Sequence, residues 1–150
     1  MIYLNHMKVY IGTDHAGYEL KETIKAYLQE SGLEVVDKGA FEYNPEDDYP
    51  DFIIPTAEAV AADPESLGIV LGGSGEGEEM AANKVEGIRA AEYYGGATDI
   101  VKLSREHNNA NILSLGARFI TEAQAKEAVK VFLETPFSGE ERHIRRIEKI

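Results

Sequence analysis

With 150 residues, a formal net charge of −12 and no cysteine, the chain has the size of one domain with a single core and cannot form a disulfide or a thiolate nucleophile. So acidic a composition excludes nucleic acid and anionic membrane surfaces as partners, and any phosphorylated ligand must be caught by a local basic cluster working against the overall field. No apolar stretch is long enough to span a bilayer, and residues 1–6 lack the basic and apolar segments of a secretory signal, so we expect a cytoplasmic location and read 1–6 as an extension ahead of Met7.

Residues 8–12 read as a first strand, followed by a helix with Leu20, Ile24, Tyr27 and Leu28 on one face. Gly32 ends that helix and residues 33–36 begin a second strand. A polar loop with two prolines covers 44–50, and a helix over 52–62 leads to the apolar run 67–71, a buried third strand. That strand enters a loop with four glycines in the six positions 72–77, and then an alanine-rich helix start. Residues 87–91 are expected as a fourth strand, 98–107 as a helix and 111–116 as a fifth strand. Thr121 and Gln124 form a capping box opening a helix that turns Ala125, Ala128, Val129 and Phe132 inward, and beyond Pro136 a last helix is expected from about 138 to the end. Five strands alternating with helices over 1–150 predict one α/β domain with a parallel, doubly wound sheet. In such sheets the site lies beyond the carboxyl ends of the strands.

Three of those ends deliver chemistry: Asp14 and His15 after the first strand, the glycine loop with Glu76, Glu78 and Glu79 after the third, and Arg118 after the fifth. A glycine-rich strand-to-helix turn aims backbone N–H groups at an anion or oxyanion. A nest built only for phosphate would avoid carboxylates, whereas one that holds an enolate while a carboxylate removes a proton needs both. Each feature also has a structural explanation: glutamates complement a helix dipole, Asp14 can cap a helix, and Arg118 can pair with a surface acid. Around Glu78, the neighbouring Glu76 and Glu79 are expected to oppose ionisation and the N–H nest to favour it.

His107 shares a stripe with Ile100, Leu103 and Ser104 that is expected to face inward, where it serves either as a core or helix-end histidine or as an acid–base group in the same pocket. Asn108 is a helix stop or a donor to a sugar hydroxyl. On the last helix Arg142, Arg146 and Lys149 recur at i, i+4 and i+7, with Ile144 and Ile147 roughly opposite. This face is a solvated stripe or, with no evident acidic partner in its own fold, a phosphate-binding face projected onto a neighbouring subunit. Histidines at 6, 15, 107 and 143 form no metal-ligand spacing. Gly73-Ser74-Gly75 begins like a dinucleotide fingerprint, but Glu78 stands at its third glycine, and the P-loop Gly-Lys-Ser/Thr is absent.

In order along nearly the whole chain, the motifs GTDHAGY at 12–18, DYP at 48–50, GGSGEGE at 72–78 with AANK at 81–84, GIRAA at 87–91, REHNNA at 105–110, GAR at 116–118 and Arg142-His143 with Arg145-Arg146 resemble the ribose-5-phosphate isomerase B / galactose-6-phosphate isomerase subunit family. The resemblance implies a Rossmann-like domain, a homodimer (or a tetramer) with sites shared between subunits, and aldose–ketose isomerisation without metal or cofactor. Many members carry a cysteine base where this chain has Gly72; this chain is similar to the subgroup whose base is the glutamate of a Gly-x-Gly-Glu loop, which falls on Glu78. Carried over by motif, Glu78 moves the proton between C1 and C2, and backbone N–H groups from Gly73 through Gly75 to Gly77, with Ser74, hold the enediolate. His107 assists ring opening and Asp14 handles hydroxyl protons. His15 and Arg118, with Arg142 and Arg146 of the partner subunit, bind phosphate, and Tyr49 and Asn108 line the sugar pocket. Ribose 5-phosphate is the expected substrate. The alternatives are a hexose 6-phosphate of the allose or galactose type and a non-catalytic sugar-phosphate binding subunit, which would have no use for Glu78.

Overall fold

The computed structural model describes residues 7–150; residues 1–6, read above as an extension, lie outside the described residues. Five parallel strands, β1 (Lys8–Thr13), β2 (Glu34–Asp37), β3 (Leu67–Gly72), β4 (Ala90–Tyr93) and β5 (Ile112–Gly116), form one sheet in the order β2-β1-β3-β5-β4. Between and after them run α1 (Tyr18–Glu30), α2 (Pro50–Ala61), α3 (Glu76–Asn83), α4 (Asp99–Asn108), α5 (Glu122–Glu134) and α6 (Glu141–Ile147). The expected doubly wound parallel sheet is therefore present. β3 and β5 are buried at every residue, as strands covered on both faces must be.

On one face, Ile24 and Leu28 of α1, Val101 of α4 and Ala125, Ala128, Val129 and Phe132 of α5 pack on Val9, Ile11, Ile69, Leu71, Leu113 and Leu115. On the other, Ile53, Ala57 and Val60 of α2 and Ala82 of α3 pack on Val70 and Ile112. Strand order reverses direction between β1 and β3, so the crevice for a ligand opens where Thr13 and Gly72 end their strands. The capping box at Thr121 forms as expected: its hydroxyl accepts from Gln124 N at 3.1 Å and the Gln124 amide oxygen accepts from Thr121 N at 2.8 Å.

Three elements differ from the sequence expectation. The fourth strand begins at Ala90, not residue 87, because Gly87 takes φ 90° and the backbone of residues 89 and 90 is held by side chains: Arg89 N donates to Asn111 Oδ1 and Ala90 N to Asn83 Oδ1. The last helix is confined to Glu141–Ile147, since Gly139 at φ 70° and the extended Glu140 hold the chain out of helix before it. The stripe of Ile100, Leu103 and His107 does not face inward: α4 seats Val101 on the sheet and leaves Ile100 59% and Leu103 41% exposed. Among the described residues, no helix is long and apolar enough to cross a membrane.

Candidate active site

The glycine loop leaves β3 and enters α3 through Gly75, whose φ of 83° belongs to the left-handed region open to glycine. Each of its glycines admits another group into the space a side chain would fill. The carboxylate of Glu78 occupies the Cβ space of Gly72, Arg118 Nη1 stands 3.2 Å from that of Gly73, and the Tyr49 hydroxyl stands 2.8 Å from that of Gly77. Ser74 Oγ accepts from Glu76 N at 3.2 Å, closing the turn. Arg118 follows β5 and is tied to the loop by its own N–H, which donates to Gly73 O at 3.0 Å.

Glu78 is buried, 4% exposed, on the first turn of α3. Burial raises its carboxyl above the ordinary value, and the nearby Asp14 pushes the same way, while the N–H groups of Glu78 itself and of Gly75 oppose them. The like charge that matters is thus Asp14, just after β1, not Glu76 and Glu79 as expected from sequence. A glutamate side chain leaves a helix in one direction, and these three radiate differently. The result is a carboxylate of raised basicity against N–H donors, as a base that shuttles a carbon-bound proton requires.

Asp14 caps the short 3-10 turn His15–Gly17 by accepting from Ala16 N at 2.9 Å, which is the structural role the sequence allowed for it. His15 shares a cleft with Ala16, Glu19, Tyr43 and Arg118. Sequence reasoning missed Asp47, which the polar loop brings onto His15. Its Oδ1 accepts from His15 N at 3.0 Å and meets Nδ1 at 2.7 Å, and its side chain is 8% exposed. Asp14, His15 and Asp47 are donor types that can hold a metal, yet His15 and Asp47 engage one another, and the effect is to fix the ring with Nε2 as its free nitrogen.

The structure brings Asp14, His15, Tyr49, Gly73, Ser74, Gly75, Gly77, Glu78 and Arg118 together at the carboxyl edge. It does not bring His107 and Asn108 there. α4 starts after the carboxyl end of β4 and returns antiparallel to the strands, so its last residues stand next to the start of β5, about 15 Å of helix from the loop edge. His107 and Asn108 line a separate groove with Glu79, Glu92, Ile100, Leu103 and Ser104. The helix stop is Asn109, left-handed at φ 47°, rather than Asn108. Arg142 and Arg146 belong with this second group, because α6 docks on α4 by stacking His143 on His107 at 4.3 Å. α6 buries His143 and leaves Ile144 38% exposed, and Arg142 Nε donates to Glu140 at 3.0 Å, so the basic face has an acid of its own after all.

A family model described as Ribose/Galactose Isomerase matches residues 9–150. Over 142 residues the chain is 51% identical to ribose-5-phosphate isomerase B of Mycolicibacterium paratuberculosis, covering 95% of this chain and 88% of that protein. The crystal structure of ribose-5-phosphate isomerase B from Mycoplasma genitalium with bound ribulose-5-phosphate matches with a TM-score of 0.91 at 39% identity, over 96% of this chain and 93% of that one. A ribose 5-phosphate isomerase structure from Thermotoga maritima matches with a TM-score of 0.89 at 44% identity, over 96% and 97%. A match along nearly the whole chain, with the nest and its glutamate in place, means that the chain belongs to the ribose/galactose isomerase family.

Proposed function

We propose that the chain interconverts ribose 5-phosphate and ribulose 5-phosphate by moving a proton between C1 and C2 through an enediolate. One observation carries the mechanism: the Glu78 carboxylate, raised in basicity, sits in the side-chain space of Gly72 against the N–H groups that open α3. Once the sugar chain is open, Glu78 takes the C2 proton as the carbonyl oxygen gathers charge, and the N–H groups of residues 73–77 receive that charge. Returning the proton to C1 gives the ketose. Asp14, whose second carboxylate oxygen is free of the cap, carries hydroxyl protons, and His15 with Arg118 holds the phosphate. The names of the relatives support the pentose phosphate as substrate.

One chain supplies only this half of the site. His107 for ring opening, Asn108 for a hydroxyl, and Arg142 with Arg146 for phosphate come from the second subunit of a homodimer, whose chain ends reach across to the carboxyl edge of the first. The exposed apolar residues of α4 and α6 support this reading.

Glu78→Gln keeps the shape and removes the basicity, and is expected to lower turnover by about 10²–10⁴. The measurement is a coupled assay with ribose 5-phosphate, together with solvent deuterium incorporation at C2 of recovered substrate. Near-normal turnover and exchange in the variant would overturn the assignment and move the role to Asp14.

A further inference from the structure

Glu92 is a half-buried acid with a shielded carboxylate, for which the reaction outlined above has no use. It lies on β4 opposite Ser114 of β5, and both side chains point to the face that carries α3. Its two carboxylate oxygens each stand 2.6 Å from the space of a Cβ on Gly75, directly beneath the left-handed residue where the nest becomes a helix. Both oxygens are sealed from solvent and, among the described residues, neither meets hydrogen-bond geometry with a donor. The Ser114 hydroxyl lies within reach, but its one proton goes to the Gly75 carbonyl at 2.7 Å. A proton in the Glu92–Ser114 contact must therefore come from Glu92.

We propose that Glu92 is a positioning residue that works as a neutral carboxylic acid: it donates to Ser114 Oγ, Ser114 donates to Gly75 O, and this relay braces the enediolate nest from below. The inference rests on the isomerase reading. The groups facing Glu92 favour the neutral form at neutral pH. From α3 come Glu76, Glu78 and Glu79, from β5 the Ser114 hydroxyl, and across the groove from α4 Ser104 and His107. Burial first and then Glu76 push the carboxyl up, Ser114 pulls the other way, and smaller pushes from Glu79 and Glu78 leave it at about 8. When Glu92 ionises it claims the Ser114 proton, and the Gly75 carbonyl keeps only the N–H of Glu79 at 2.9 Å. A second buried charge then lies under the place where the enediolate must form, so turnover falls as the medium becomes alkaline.

The test is kcat from pH 6 to 10 for the wild type, Glu92→Gln and Glu92→Leu, with an infrared titration of the carboxyl C=O band. For an acid titrating near 8, wild-type kcat at pH 9 is expected at about a tenth of its pH 7 value, and Glu92→Gln, which donates at every pH, raises that ratio about tenfold. Glu92→Leu, uncharged but unable to donate, loses kcat at pH 7 relative to Glu92→Gln while KM changes little. The infrared band lost between pH 7 and 9 in the wild type is absent from Glu92→Gln. Superimposable pH profiles for the wild type and Glu92→Gln, or equal kcat for the Leu and Gln variants, would overturn the proposal. A wild type that does not isomerise ribose 5-phosphate overturns the isomerase reading instead, and the infrared titration still decides the protonation of Glu92.

Discussion

At the site, Asp47 has a more measurable role than its place in a polar loop suggests. It holds both the backbone N–H and the ring of His15, so removing it leaves the ring, and the Nε2 proposed to meet phosphate, free to turn away. Losing hydrogen bonds of this kind costs about 1–1.5 kcal/mol, and Asp47→Ala is expected to raise KM for ribose 5-phosphate about tenfold with a smaller effect on kcat. Steady-state kinetics on both parameters checks this; an unchanged KM would detach Asp47 from binding. Glu78, Asp14 and Arg118 were legible in the sequence because strand ends and a glycine loop locate them without knowledge of packing. Asp47 and Glu92 were not, since each acts through a contact made across the fold: Asp47 with a residue 32 positions away, Glu92 with a glycine on another element.

Among the elements, β2 ends in a charged cluster that fixes the loop on its way to Asp47 and Tyr49. Lys21 of α1 is fully buried and gives Asp37 two hydrogen bonds, at 2.8 and 2.9 Å, and a third to Ala40 O, while Lys25 reaches Asp37 at 2.9 Å. Burial acts to raise the Asp37 carboxyl, but the hydrogen bonds from Lys21 and Lys25 outweigh it and hold it below its ordinary value. A carboxyl depressed in the folded state contributes stability that is present above its unfolded value of 3.8 and lost as the pH falls through the folded value. Asp37→Asn removes the charge between Lys21 and Lys25, leaving Lys21 with the Ala40 carbonyl and Glu22 at 3.4 Å, and is expected to cost about 1.5–3 kcal/mol at pH 7. Thermal unfolding of both proteins from pH 7 down to 3 should show the gap closing only at the acid end; a gap that does not narrow there would contradict the ion-pair account. The order and type of the elements followed from periodicity, and β3 and α5 with its cap matched closely. The start of β4 did not, because two asparagine side chains, Asn83 and Asn111, take the place of strand partners at residues 89 and 90.

For the molecule as a whole, the fold puts the three arginines proposed to bind phosphate on two different edges, Arg118 after β5 and Arg142 and Arg146 on α6. The direction in which α4 must run back after β4 already separates His107 from Glu78. From the sequence His107 falls on an inward stripe instead, because periodicity shows which residues share a helix face but not which face packs on the sheet. Mixing inactive Glu78→Gln with inactive His107→Ala chains is expected to restore roughly a quarter of wild-type activity, since half the dimers formed at random carry one intact site of two. No recovery after exchange of subunits, checked by mass spectrometry, would show that each site is built within one chain. If each site is completed by a second subunit, as proposed, the two-edge arrangement also makes catalysis obey mass action. Newly made chains would then be silent until they meet, activity per chain is expected to fall on dilution below the dissociation constant, and substrate, by bridging the two halves, would draw the equilibrium toward the assembled state.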